Sequence, residues 1–359
     1  MASSNIEEDL LPFLPKCEHH IHIEGALTPE LLFTLAKKNN ITLPTDDKAF
    51  TSPATLTERY RHFASLDDFL HYYYIGMSVL ITAADFEALA TSYFSRAARD
   101  TVRHADVFFD PQAHLSRGVD YPTLLAGLSA AQSHAKQTLN LTSELVCCFL
   151  RHLPAQASLA TFHLPALQAS FASGAVRAIG LDSSEAGFPP HLFADLYADA
   201  RALGLNLTAH AGEEAPPEYI RSALDDLHVS RIDHGRRLPE DPELLARVAA
   251  QGTLLTLCPI SNVFLRGVGS VSELPVREFL DAGVKFSINS DDPAYFGGNY
   301  IGENYAAVQR AFALSVGEWE GVCRAAIEGS WCGEGRKGEM RGELERVVGA
   351  WRAKYGDEA

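Results

Sequence analysis

Short apolar runs that end in polar clusters recur along the chain and alternate with longer helical patterns. Several runs are rich in Val, Ile, Leu and Phe without strict alternation, which is typical of strands buried on both faces of a parallel sheet. The runs predict strands at 17–23, 105–110, 144–150, 176–182, 206–212, 231–235, 253–259 and 285–292.

The intervals between these runs read as amphipathic helices. The predicted helices span residues 28–39, 83–103, 121–140, 154–173, 189–204, 217–228, 241–252 and 271–283. Strand and helix alternate throughout, which predicts an α/β protein with a (β/α)8 TIM barrel in a single domain, residues 1–359. A doubly wound sheet is the structural alternative, but its first strand would usually lead into a glycine-rich phosphate turn.

Three further segments lie outside the regular alternation. Residues 40–82 form an aromatic-rich helical insertion after the first strand, either a lid over a pocket or an extra packed helix pair. Two helices are predicted after the last strand. Residues 333–343 predict a charged, glycine-rich loop before a final helix.

Charge and cysteine content narrow the class of protein. The formal net charge is -16, so neither nucleic acid nor an anionic membrane is an expected partner. The six cysteines include no C-x-x-C pair, which favours a reducing compartment. No signal peptide or transmembrane run is seen, so a cytoplasmic location is expected, with a nuclear share left open.

Polar residues with metal-ligand chemistry stand where the predicted strands end. In a barrel, functional groups lie at the C-terminal ends of the strands. His20 and His22 alternate on one side of the first strand, while His19 faces away into packing or a supporting role. With His210 after strand five and Asp291 after strand eight, they form a three-imidazole, one-carboxylate set that suits one catalytic Zn²⁺ ion.

The groups next to these ligands predict an acid–base site. Glu213 is a candidate proton donor, His234 a candidate to orient or deprotonate a zinc-bound water, and Asp292 a candidate hydrogen-bond acceptor for substrate. Each short motif alone is weak evidence for a site. Their joint placement on strands one, five, six and eight is much stronger evidence. The fourth strand ends without a lysine that would bridge two metals, which favours a single ion.

The stretches "KCEHHIHIEGAL", "TAHAGE", "RIDHG" and "NSDDPAYFGG" resemble the adenosine/adenine deaminases of the amidohydrolase superfamily. The resemblance extends from about residue 12 to the last helix and is closest to members that act on the free base. It implies Glu213 as the proton donor to purine N1, His234 at the attacking water and Asp292 at purine N7. The implied reaction converts adenine to hypoxanthine and ammonia, a step of purine salvage.

Two departures bear on the substrate. The resemblance implies that adenosine deaminases typically carry Asp at the position of Glu24, in contact with the ribose. The extra methylene of Glu24 is expected to enter the space that the ribose would occupy. Ser183 replaces a glycine that approaches purine N3. Deamination of adenosine, of an N6-substituted adenine or of its nucleotide remains an alternative, as does a non-catalytic zinc-binding barrel. The oligomeric state is not predicted.

Overall fold

Eight parallel strands pair in chain order around a barrel. The computed structural model describes residues 2–356, with side chains from residue 6 onward. The strands are β1 (Lys16–His22), β2 (Val102–Phe109), β3 (Thr142–Leu150), β4 (Ala178–Asp182), β5 (Asn206–Ala211), β6 (Arg231–His234), β7 (Leu254–Leu257) and β8 (Phe286–Ile288). All eight predicted strands are confirmed, and the doubly wound alternative is wrong.

Helices surround the strands and fill the connections between them. They are α1 (Ala2–Asp9), α2 (Pro29–Asn39), α3 (Pro53–Tyr60), α4 (Leu66–Met77), α5 (Ala83–Arg99), α6 (Pro111–Leu115), α7 (Tyr121–Thr138), α8 (Ala155–Phe162), α9 (Pro165–Ser173), α10 (Ala194–Ala202), α11 (Pro217–Asp225), α12 (Pro242–Gln251), α13 (Pro259–Phe264), α14 (Val276–Ala282), α15 (Ile301–Phe312), α16 (Val316–Gly329) and α17 (Glu334–Tyr355). Within residues 2–356, no helix is both long and apolar enough to span a bilayer.

Barrel closure passes through a residue of the predicted site. Asp291 forms a parallel bridge with Ile21 of β1. Its N–H donates to the carbonyl of His20 at 3.0 Å, and its carbonyl accepts from the N–H of His22 at 3.0 Å. The backbone that closes the barrel therefore also sets the position of the Asp291 carboxylate.

A small apolar cluster lies inside the barrel. Phe108, Val146, Cys148 and Ala178 form it, and Trp331 packs against it. The guanidinium of Arg231 lies 3.7 Å from the Trp331 ring centroid, in cation–π geometry. Phe108 also packs against the His20 ring at a centroid distance of 5.0 Å, so the cluster lies directly beneath the predicted site.

Two helix predictions differ from the structure. The helix predicted at 154–173 divides into α8 and α9 because Pro165 starts a new helix at its N-terminal position. The glycine-rich loop predicted at 333–343 is wrong, since this segment is the first half of α17. Met340 and Leu344 bury one face of α17, and this tertiary packing outweighs the low helix propensity of glycine.

Candidate active site

The four side chains predicted as metal ligands meet at one point above the barrel core. His20, His22, His210 and Asp291 are buried, and one ligand atom from each lies within 4.8 Å of the others. Asp291 Oδ1 is 3.1 Å from His20 Nε2 and 3.5 Å from His22 Nε2. The Nε2 atoms of His22 and His210 are 3.3 Å apart.

The opposite nitrogen of each imidazole faces a polar group of another strand, which orients the ring. The Nδ1 distances are 2.9 Å from His20 to Thr256 Oγ1, 3.6 Å from His22 to Asp182 Oδ2 and 3.6 Å from His210 to Asp233 Oδ2. Asp233 also accepts from the hydroxyls of Thr208 and Thr256, at 2.7 and 3.0 Å. Such outer partners commonly fix the orientation of metal-binding histidines.

This arrangement fits a bound divalent metal better than a hydrogen-bonded network. His20 Nε2 makes no hydrogen bond to the described residues, although Asp291 Oδ1 is close. Burial lowers the pKa of His22 to about 3 and that of His210 well below its usual value, so both rings are neutral and their lone pairs are free. Three imidazole nitrogens and one carboxylate oxygen are donors that Zn²⁺ accepts.

A second metal-binding grouping overlaps the first. His234 and Cys258 join His20 and Asp291 within the same 4.8 Å limit. Burial raises the pKa of the Cys258 thiol well above its usual value. Because a thiol binds zinc as thiolate, the first grouping is the better donor set and leaves His234 free for acid–base work.

Glu213 and His234 face each other beside the ligands. His234 Nε2 lies 3.5 Å from Glu213 Oε2 and 3.9 Å from Asp291 Oδ2. Burial, with Asp291 and Glu185 nearby, raises the pKa of Glu213 well above its usual value. Burial lowers the pKa of His234 well below its usual value. These shifts favour a protonated carboxyl and a neutral imidazole, which suit a proton donor and a proton acceptor.

The site is reached through a cavity at the C-terminal strand ends, the place where barrels hold their substrates. Glu213, His234, Asp292 and Ser183 all line it. Asp292 Oδ1 is buried without a hydrogen-bond partner in the described chain. Burial and the adjacent Asp291 raise the pKa of Asp292 well above its usual value.

The insertion at 40–82 covers this cavity. Five side chains from α4 line it, namely Leu66, Phe69, Leu70, Tyr73 and Tyr74. Phe69 and Tyr73 also contact the Tyr295 ring, with centroid distances of 5.4 and 5.6 Å. The insertion therefore has both predicted roles, as a pocket wall and as a packed helix.

Glu24 lies behind the cavity wall, not among the residues that line it. Its side chain is fully buried, and Oε1 is 2.8 Å from His114 Nε2. Arg117 Nη2 lies 2.6 Å from His114 Nδ1. Because a guanidinium only donates, His114 accepts at Nδ1 and donates from Nε2 to Glu24. This chain of hydrogen bonds draws the Glu24 carboxyl away from the cavity that it was expected to enter.

A sequence comparison decides the family. The profile described as adenosine deaminase matches residues 15–347. The chain belongs to the adenosine deaminase family. An adenine deaminase of Schizosaccharomyces pombe is 55% identical over 341 residues, covering 95% of this chain and 93% of that protein.

Solved structures agree with this assignment to the adenosine deaminase family. The crystal structure of an adenine deaminase from Arthrobacter aurescens matches with a TM-score of 0.87 and 40% identity, covering 94% of this chain and 99% of that one. An amidohydrolase from Burkholderia ambifaria with bound Zn matches with a TM-score of 0.85 and 25% identity, covering 98% and 96% of the two chains. The family assignment and the barrel are thus supported independently.

In this adenosine deaminase family member, two glutamates that the sequence analysis missed support the site. Glu18 accepts from the Tyr93 hydroxyl at 2.7 Å and from the N–H of Ser290 at 3.0 Å. Glu185 accepts from the N–H of Glu213 at 3.2 Å and from two following N–H groups. Each holds the backbone next to a predicted ligand or catalytic group. No local signal distinguished them in the sequence, because both stand among other polar residues.

Proposed function

We propose that this chain hydrolyses adenine to hypoxanthine and ammonia, with one zinc ion per chain held by His20, His22, His210 and Asp291. The observation that carries the proposal is the joint convergence of these donors, Glu213 and His234 in one cavity. The identity to adenine deaminases over nearly the whole chain supports the choice of substrate. The bound zinc ion would supply a water of lowered pKa at neutral pH.

The chain's own groups divide the remaining work. Glu213, held protonated by burial, donates a proton to ring N1 as water adds at C6. His234 accepts a proton from that water, since its imidazole is neutral and lies 3.9 Å from Asp291 Oδ2. Asp292 and Ser183 bind the purine from the cavity wall. His234 then gives its proton to the amino group, which leaves C6 as ammonia, and the C6 hydroxyl returns a proton to Glu213, which leaves hypoxanthine.

The apolar cover of the cavity strengthens the electrostatic interactions of these groups with a substrate. Side chains of α4 cover the pocket with apolar surface, which limits competing water and raises the effect of each charge. The same cover favours a flat, uncharged base over a phosphorylated nucleotide. We also assign the reaction to purine salvage in the cytoplasm, consistent with the free cysteines at the described positions.

Product identity tests the proposal. The pure, zinc-loaded protein is incubated separately with adenine, adenosine and N6-methyladenine, and the products are separated by chromatography. We expect hypoxanthine from adenine as the fastest reaction. If inosine forms faster from adenosine, or hypoxanthine forms faster from N6-methyladenine, that compound and not adenine is the preferred substrate. No turnover of any of the three, with zinc bound, would support a non-catalytic barrel.

A further inference from the structure

Asp110 is a cavity residue for which the proposed chemistry has no role. It follows β2 directly and lines the cavity, yet only 1% of its surface is exposed. Its backbone N–H donates to Glu24 Oε1 at 3.2 Å. As the N-cap residue of α6 it makes no side-chain capping bond, so its carboxyl is not committed to the helix.

The Asp110 carboxyl has an acceptor oxygen to spare. Oδ1 is buried and has no hydrogen-bond partner among the described residues. The Asp182 carboxyl and the Tyr73 hydroxyl lie near it, and Asp182 Oδ2 already faces His22 Nδ1 at 3.6 Å. The Tyr73 hydroxyl is also buried without a hydrogen-bond partner among the described residues. This part of the wall therefore holds more polar atoms than its own hydrogen bonds satisfy, and a donor on a ligand would relieve that cost in free energy.

The barrel order decides which edge of a purine reaches Asp110. The candidate metal ligands come from β1, β5 and the turn after β8, and Glu213 and His234 follow β5 and β6. A purine with C6 at the metal and N1 at Glu213 must direct its five-membered ring away from β6. In the closed order of eight strands, β2, which Asp110 follows, lies across the barrel from β6.

Chemistry then selects the donor. Free adenine carries a hydrogen on its imidazole ring, at N9, whereas a nucleoside carries its sugar there. A carboxyl oxygen facing N9 accepts a hydrogen bond from the free base and meets the sugar carbon of a nucleoside. A site that hydrogen-bonds a substrate N–H rejects analogues that lack it far more strongly than an apolar pocket can.

We propose that Asp110 accepts a hydrogen bond from the N9–H of adenine and thereby selects the free base against its nucleosides. This inference rests on the proposed function and adds a specificity determinant to the same site. Under this proposal Glu24 does not enter the ribose space, as was expected. It accepts a hydrogen bond from the Asp110 N–H and so positions the residue that contacts the base.

The test compares adenine with 9-methyladenine, which lacks the N9 hydrogen. Both are assayed with the zinc-loaded wild-type enzyme and with Asp110→Ala, and 9-methyladenine is also measured as a competitive inhibitor so that slow turnover still yields an affinity. We expect Asp110→Ala to lower kcat/KM for adenine by about 10- to 100-fold. The affinity of Asp110→Ala for 9-methyladenine should stay at the wild-type level or rise. The preference of the enzyme for adenine over 9-methyladenine should therefore fall at least about tenfold.

If Asp110→Ala weakens the enzyme's action on adenine and its binding of 9-methyladenine by the same factor, or leaves the preference between the two compounds unchanged, the inference is wrong. If Asp110→Ala does not fold, Asp110→Ser withdraws the same oxygen while keeping a residue suited to a helix N-cap. Asp120→Asn, the same loss of charge at an exposed N-cap outside the cavity, is the matched control and should leave the preference unchanged. Failure of the wild-type enzyme to deaminate adenine would instead refute the proposed function.

Discussion

Replacing Glu18 with alanine should loosen the turn that carries the candidate ligand Asp291 without changing that residue itself. Glu18 is fully buried and accepts from the Tyr93 hydroxyl and from both the N–H and the hydroxyl of Ser290. Asp291 follows Ser290 and bridges β1. Leaving a buried donor unsatisfied costs about 1–3 kcal/mol. Three such donors, two of them hydroxyls that can rotate to other acceptors, give a loss of about 3–5 kcal/mol in the free energy of unfolding.

Denaturant unfolding of the metal-free protein measures this loss, and competition with a chelator measures zinc affinity. Because Glu18 supports a ligand from outside, we expect zinc affinity to fall by about 10- to 100-fold. Glu18→Gln is the matched control, since its carbonyl oxygen still accepts from Ser290 and its amide can donate to the Tyr93 oxygen. It should cost about 1 kcal/mol. An alanine variant as stable as the glutamine variant, with unchanged zinc affinity, would refute the reasoning.

Three other changes test separate parts of the site. Gly25→Ala would place Cβ 2.1 Å from Asp292 Oδ1 and 2.6 Å from Asp292 Cα; the backbone must move, so we expect about 1–3 kcal/mol lower stability in thermal unfolding and weaker adenine binding. Glu213→Gln should lower kcat by about 10²- to 10⁴-fold while zinc content, measured by mass spectrometry, stays at the wild-type level; full activity would exclude the proton-donor role. Burial raises the pKa of Glu24 from 4.5 to about 7. The folded state therefore keeps a proton that the unfolded chain loses between those values, and this stabilisation is full below about pH 4.5 and declines towards pH 7. Glu24→Gln should remove up to about 3 kcal/mol of that pH dependence in denaturant unfolding measured across the range; parallel stability curves for the two proteins would contradict the shift.

The strands and the convergence of the four candidate ligands could be predicted because two simple rules act together. Apolar runs mark buried parallel strands, and side chains after those strands gather at one end of a barrel. His20, His22, His210 and Asp291 are far apart in the chain but meet for this reason. The separation of His19 from the ligands also agrees with the structure, where its ring nitrogens face Ser287 and Ser330 hydroxyls at 3.0 and 2.9 Å.

The supporting residues could not be predicted by the same rules. β1 carries a register shift between Glu18 and Ile21, so Glu18 contacts Tyr93 of α5 while His20 faces the site. Simple alternation would have put both on one face. The hydrogen bonds that draw Glu24 out of the cavity depend on His114 and Arg117, two residues on the short segment after β2. Their meeting depends on three-dimensional packing, which periodicity does not describe.

Three site residues adopt a backbone conformation that is uncommon for any residue other than glycine. Ser183, His234 and Asp291 have φ values of 73°, 61° and 66°, in the left-handed region, and each stands at or just past the end of a strand. Such residues cost about 1–3 kcal/mol each when the side chain is unsuited to the conformation. This conformation has a structural effect, because a left-handed residue directs its side chain away from the face that strand alternation would give it. Asp233 and His234 are neighbours, yet Asp233 lies beneath the ligands while His234 faces Glu213. Buried contacts hold these turns in place, including Glu18 on Ser290 and Asn262, whose amide lies 3.4 Å from His234 Nδ1. Substitution of Glu18 or Asn262 is therefore expected to disturb the site, although neither residue lines the cavity.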